Sequence, residues 1–132
     1  MSDWIGSQGV DIEKYVGFVY KIVELDTGME YVGIKKFQKR IRRKPLKGQK
    51  RVRICFVESD WKTYTSSSRH VKEKIKSNPD NFLKEIIFLA KTVTEMKAFE
   101  AWYQLDKYMK GEWNSVYNEM INLRLRIPKE KK

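Results

Sequence analysis

Apolar and polar positions alternate from Val16 to Leu25. Val16, Phe18, Tyr20 and Ile22 form one set and Gly17, Val19, Lys21 and Val23 the other, which is the two-residue period of a β-strand. Asp26-Thr27-Gly28 is a turn signal, glycine supplying the positive φ that tight connections need. Met29 to Phe37 then returns as a second strand, closing a hairpin. From Gln38 to Lys50 the sequence is basic and interrupted by Pro45 and Gly48, which predicts a loop. Alternation resumes at Arg51 to Val57, where Val52, Ile54 and Phe56 oppose Arg51, Arg53 and Cys55, indicating another strand.

The second half changes period. Ser66-Ser67-Ser68 offers N-cap oxygens for a helix through about Ile75, and Asn78-Pro79-Asp80-Asn81 ends it. Phe82 to Ala90 holds the apolar run Ile86-Ile87-Phe88-Leu89-Ala90, short enough for a buried central strand. Thr92 or Thr94 can cap the longest helix, which runs to about Met109 and places Met96, Phe99, Trp102, Tyr103 and Met109 on one broad apolar face. A short irregular or strand-like piece from Ser115 leads into a basic tail. The order β-β-(β)-α-β-α predicts an α+β fold, a small mixed or antiparallel sheet with helices packed against it. The 132 residues fit a single domain spanning 1–132, with a basic insertion at about 35–53.

Composition supports one real core: 41% of residues are hydrophobic and 17 are aromatic. There is no run of eighteen apolar residues to span a membrane. Met1-Ser2-Asp3-Trp4 lacks the basic-then-apolar pattern of a secretory signal, and the lone Cys55, between Ile54 and Phe56, is expected as a buried strand residue. A reducing, cytoplasmic setting follows. Charge sharpens the picture. Of the net +11, all the excess lies between Lys35 and Arg53, where eleven Lys or Arg residues occur without one acid; the remainder carries 17 basic and 17 acidic residues. A solubility surface would mix signs. A concentrated cationic strip suits a polyanion, because each phosphate neutralised releases condensed counterions. A solvated basic loop without a specific partner is the plainer alternative. An anionic membrane surface fits poorly, since no continuous amphipathic pattern accompanies the charge.

Two short motifs carry the chemistry. Gly17-Phe18-Val19-Tyr20 ends one strand motif, and Tyr31-Val32-Gly33 follows after ten residues that contain the hairpin turn. The pair resembles the GIY-YIG nuclease signature, Phe18-Val19-Tyr20 standing for GIY and Tyr31-Val32-Gly33 for YIG. Glu58-Ser59-Asp60-Trp61-Lys62, followed by Tyr64 and the serines, is similar to the Seg-type endonucleases of phages, which carry an insertion between YIG and the first helix. The resemblance spans roughly residues 16–118. It implies a metal-dependent DNA endonuclease, acting in an infected bacterial host if phage-encoded.

Phosphodiester hydrolysis needs an activated water, stabilisation of added negative charge and protonation of the leaving oxygen. A magnesium or manganese ion can supply charge stabilisation, and magnesium needs only one or two carboxylates besides water and phosphate. Glu100 falls about 40° from Met96 and about 60° from Tyr103 on a helical wheel, at the border of the apolar face. The resemblance makes it the metal ligand, with Glu95 and Glu85 as weaker rivals. The resemblance also makes Tyr20 the general base, with nearby positive charge expected to favour its phenolate. Tyr31 would orient water or contact phosphate, and Asn118 would help organise the site. Gly33 would allow close backbone approach or merely ease the hairpin twist.

The first-helix arginine of the family is displaced by the insertion. Arg69 is the preferred equivalent, Lys62 a close rival, and Arg40 the match by plain spacing. Lys35, Lys36, Arg40, Arg42, Arg43 and Lys62 are the remaining candidates for contacting DNA, duplex foremost. His70 could protonate a leaving group, although an exposed helical histidine is the simpler reading. No separate DNA-reading domain, helix-turn-helix, zinc module or GxxxxGK[ST] loop is present, so sequence specificity should be limited or come from a protein partner. Two other classes stay open: a noncatalytic nucleic-acid-binding module, in which Tyr64 could stack on bases, and an inactive nuclease scaffold.

Overall fold

The strand in which both alternating sets are apolar becomes the middle of a sheet, because only a central strand between two covered faces can bury both. In the computed structural model, which describes residues 4–113 and 116–118, the chain runs through β1 (Gly17–Glu24), β2 (Glu30–Lys36), β3 (Gln38–Arg43), β4 (Arg53–Glu58), α1 (Arg69–Ser77), a 3-10 turn at Pro79–Asn81, β5 (Phe82–Ala90) and α2 (Val93–Met109). β1 lies between β2 and β5, antiparallel to both. The α+β class and the antiparallel sheet flanked by helices match the expectation from sequence. The basic tail lies outside the described residues, as do Met1 to Asp3.

Opposite faces of β1 feed two separate cores. Phe18, Tyr20 and Ile22 pack with Trp4, Phe37, Trp61 and the α1 residues Val71 and Ile75. Val19 packs with Val32, Ala90 and Met96 of α2 on the other face. The register between β1 and β5 slips after Val19: Val19 opposes Phe88 while Tyr20 opposes Ile86, so Ile87 is an extra residue. This bulge lets adjacent apolar residues serve both cores, Ile86 and Leu89 on the α1 side and Ile87 and Phe88 on the α2 side. β5 therefore contributes partly buried residues to both cores from an outer position in the sheet. Its far edge pairs with Ile5, whose N–H donates to the Lys84 carbonyl at 2.8 Å and whose carbonyl accepts from Ile86 at 2.9 Å.

Both helices start as their caps dictate. The Ser68 side chain accepts from the Val71 N–H, and the Thr92 side chain, rather than Thr94, accepts from the Glu95 N–H. The apolar face expected for α2 is narrower than proposed: Trp102 and Met109 are exposed, and Ala101 and Gln104 are buried with Met96.

The largest departure is at the insertion. Gln38 to Arg43, expected as the start of a loop, is a strand that pairs antiparallel with β4 over six residues. Only the stretch from Lys44 to Val52 connects them. Cross-strand pairing supplied what propensity did not: Ile41 opposes Cys55 on one face, and Arg42 opposes Ile54 on the other. Cys55 is half-buried on this two-stranded ribbon rather than in a core.

Candidate active site

Tyr20 and Gly33 face one another directly in the β1–β2 register, and Tyr31 opposes Ile22 one pair further along the same face. A methyl group built on Gly33 would lie 2.5 Å from the Tyr20 hydroxyl and 2.6 Å from its Cζ, so the bare glycine is what lets the phenol lie flat across β2. Close approach, rather than hairpin twist, explains this residue, and the approaching group is Tyr20 itself. Tyr31 and Tyr64 enclose the ring, with centroids 6.3 and 6.0 Å away. Tyr64 is thereby committed to packing and does not stand out as a base-stacking platform. The Tyr31 hydroxyl shares a hydrogen bond of 2.8 Å with Ser67 Oγ at the surface.

The Tyr20 hydroxyl is wholly buried beside the Tyr64 phenol and the Ser67 backbone, yet makes no hydrogen bond of good geometry among the described residues. Burial, reinforced by the Tyr64 and Tyr31 phenols, pushes its pKa well above the ordinary tyrosine value. The expected effect of the basic strip is thus reversed: desolvation dominates and the phenol stays protonated.

The expected DNA-contacting residues do not converge on one place. Lys35, two residues beyond Gly33, shares the tyrosine face: its Nζ lies 4.1 Å from the Tyr64 ring centroid and 2.8 Å from Asp60. Lys35 also holds the Asp60 carboxyl below its usual range through that hydrogen bond. Lys36 is exposed and borders a cleft that Lys35, Gln38, Arg40, Phe56 and Met96 also line. Arg42 and Arg43 stand exposed on the ribbon. Lys62 is exposed with its Nζ 5.7 Å from the Trp61 ring. Arg69 opens α1, 93% exposed in its side chain, with Glu73 as its ion-pair partner at 3.2 Å. His70 is exposed and packs edge-on against Tyr117.

Glu100 lies on α2, which covers the sheet face opposite Tyr20 and Tyr31. Its carboxylate is half-buried, makes no hydrogen bond or ion pair among the described residues, and has its pKa raised by burial against the opposing pull of Lys97. Tyr103, one turn on, donates to Glu30 Oε2 of β2 at 3.1 Å, so this side of α2 follows the outer edge of β2. Asn118 occupies that edge. Its Oδ1 accepts from the Val32 N–H at 2.9 Å and its Nδ2 donates to the Val32 carbonyl at 2.8 Å, while the Tyr117 N–H donates to Glu30 at 2.7 Å. The amide thus pairs with the backbone along this edge of β2.

Among the described residues no three His, Cys, Asp or Glu side chains cluster as a metal cage. A lone, unpaired and partly desolvated carboxylate still suits a magnesium ion whose remaining ligands are water and phosphate, since the cation would offset the desolvation.

A family model described as "Putative endonuclease segE, GIY-YIG domain" matches residues 4–121. The chain belongs to this GIY-YIG family. Comparison with curated proteins and with solved structures returns no match. Both halves of the GIY-YIG signature lie side by side in β1 and β2, and the late asparagine closes the β2 edge. The departure within this GIY-YIG chain is the cation beside the tyrosines. Arg69 and Lys62 point to solvent, while Lys35 and the α1 residue Lys72, whose Nζ lies 6.0 Å from the Tyr64 ring centroid, flank that ring. Lys35 could be placed on this face from strand period alone. Lys72 was missed, because its position depends on how α1 packs.

A second polar cluster also escaped the sequence. Glu24, at the end of β1, is buried and accepts from Thr27 Oγ1 at 2.5 Å, Tyr117 at 2.8 Å and Lys74 of α1 at 3.3 Å. These hydrogen bonds, Thr27 first, hold its carboxyl below the ordinary value. Lys74 also donates to the Tyr117 hydroxyl at 3.0 Å, tying α1 to the segment that carries Asn118.

Proposed function

We propose that the protein is a metal-dependent endonuclease that hydrolyses phosphodiester bonds in DNA, duplex foremost, with limited sequence specificity and a phage origin. The observation that carries this reading is the GIY-YIG pair set side by side in β1 and β2 within a chain that matches an endonuclease family over residues 4–121. Magnesium or manganese, held by Glu100, would stabilise charge on the phosphate. Asn118 fixes the strand edge between Glu100 and the tyrosines. Tyr31, whose hydroxyl reaches the surface, orients water or phosphate. Tyr20 takes the proton-accepting role only once Tyr31, Tyr64 and Ser67 part and the phenol is rehydrated, because the closed arrangement keeps it protonated. Arg69, held only by Glu73, can swing to a phosphate, with Lys35, Lys72 and Lys62 as further cations.

The test is cleavage of supercoiled plasmid with magnesium and with EDTA. Metal-dependent nicking or linearisation is expected. Glu100→Ala and Tyr20→Phe should each lower the rate by about a hundredfold or more, the scale for losing a positioned catalytic group. Tyr20→Phe should do so without loss of thermal stability, since the deleted hydroxyl makes no hydrogen bond of good geometry among the described residues. Wild-type rates in both variants would remove the proposed site.

A noncatalytic nucleic-acid-binding module is the second reading. The sealed Tyr20 hydroxyl and the position of α2 across the sheet favour it. Metal-independent DNA binding with no cleavage under any divalent cation would select it.

A further inference from the structure

The β3–β4 ribbon carries features that neither the fold nor the proposed hydrolytic site uses. Direct cross-strand partners share a face, so Arg40 with Phe56 and Arg42 with Ile54 lie together on one side, and Lys39, Ile41, Arg43, Arg53, Cys55 and Val57 lie on the other. Phe56 is 66% exposed and Ile54 42% exposed. Phe56 borders clefts beside Val93 and Met96 of α2 without being buried by them, and each of the two apolar residues lies directly opposite an arginine. Lys39, Arg40, Arg42 and Arg43 form no ion pair among the described residues, and no acid occurs from Gln38 to Val57. A mobile cationic loop would need no such order. Here six paired residues hold the side chains in fixed register over roughly 20 Å.

We propose that this ribbon enters the major groove of duplex DNA with its Arg40–Phe56 and Arg42–Ile54 face toward the base edges. The inference rests on the DNA reading above and deepens it by naming how the duplex is held. The charge is complementary to the phosphates that wall the groove. The major groove, about 12 Å wide, admits a two-stranded ribbon. Arginine can bridge guanine O6 and N7, and exposed apolar side chains can pack on thymine methyls. Lys39 and Arg43, on the reverse face, extend to the flanking phosphates. The major groove of duplex RNA is too deep and narrow for the same approach.

The test is fluorescence anisotropy of the full chain on a labelled duplex in EDTA, where hydrolysis cannot intervene, with dimethyl sulfate protection to read guanine N7. Wild type should prefer duplex DNA over duplex RNA and over the single strand, and should protect N7. Phe56→Ser with Ile54→Ser should weaken duplex binding about tenfold at an unchanged salt slope, the scale of a lost base-edge contact. Arg40→Gln with Arg42→Gln should abolish N7 protection. Lys39→Gln with Arg43→Gln should lower the log–log salt slope by about 1.8, or 0.9 per phosphate contact. Thermal melting of each variant checks folding. Wild-type binding in all three variants, equal affinity for duplex RNA, or no N7 protection by wild type would each overturn the proposal. Variant-sensitive, N7-protecting binding by a protein that cuts nothing in magnesium would sustain it while removing the nuclease reading. Cleavage by a protein whose binding ignores every ribbon variant would do the reverse.

Discussion

β1 and β3 are both strands in antiparallel ladders, and they resolve the burial problem in opposite ways. β1 has a partner on each side and a core on each face, and its Phe18, Val19 and Tyr20 are fully buried. β3 has one partner, no covering helix, and no fully buried residue. In β1 the side chains determine the strand's place in the fold. In β3 backbone pairing holds side chains out to solvent. The body therefore bears stability and the candidate chemistry, while the ribbon bears charge. Mutations should divide along the same line.

The sharpest division lies between two phenylalanines. Phe18 touches Trp4, Phe37 and Trp61 in edge-on or tilted ring contacts at 5.1 to 6.0 Å. Phe18→Ala should cost about 3–5 kcal/mol, enough to threaten folding. Phe56→Ala, in the exposed position, should stay within about 0.5 kcal/mol. Urea denaturation of both variants measures the gap. A Phe56→Ala cost comparable to that of Phe18→Ala would mean that the ribbon face is covered in solution.

That contrast also explains what could be read from sequence. The strands of the body were legible because burial imposes a pattern on the residues: Val16 to Leu25 alternates, and Ile86 to Ala90 is continuously apolar. β3 was not, because Gln38 to Arg43 holds one apolar residue, Ile41, and nothing local distinguishes a charged ribbon from a charged loop. Site residues followed the same logic. Tyr20, Tyr31 and Gly33 were legible from motif and register. The sealing of Tyr20 was not, since it needs Tyr64, more than forty residues away in the chain. Nor could one sequence place α2 on the face opposite the tyrosines, because either face of an antiparallel sheet can accept it.

Gly33 tests the body at its tightest point. It pairs with Tyr20 across the ladder, and an added methyl would collide with a ring that is itself packed by Tyr31 and Tyr64. With Tyr31 and Tyr64 packed on the ring, Gly33→Ala should destabilise by about 1–3 kcal/mol, the cost of overpacking. Gly48, in the ribbon connection, has nothing within 4 Å of such a methyl, and its cost would come only from its positive φ of 83°. Gly33→Ala combined with Tyr20→Ala should recover much of the loss from Gly33→Ala in a double-mutant cycle, whereas Gly48→Ala should show no coupling to Tyr20. Additivity of Gly33→Ala and Tyr20→Ala would refute the steric account.

The smallest expected effect concerns acid. The body holds a buried carboxylate, Glu24, bonded to Thr27, Tyr117 and Lys74, whereas no acid occurs from Gln38 to Val57. Glu24 has a folded-state pKa below its unfolded value of 4.5, so its contribution is fully present above that value. It is lost as pH falls through the depressed folded value. Glu24→Gln keeps the shape but not the charge, and should cost about 1 kcal/mol at pH 7. The difference between wild type and variant should shrink steadily once pH drops below 4.5, and melting curves at several acidic pH values would follow it. Arg42→Gln and Arg43→Gln should leave the shape of that acid limb unchanged, because neither arginine pairs with a carboxylate among the described residues. A difference between wild type and Glu24→Gln that persists at full size in acid would show that the Glu24 network stabilises by packing alone.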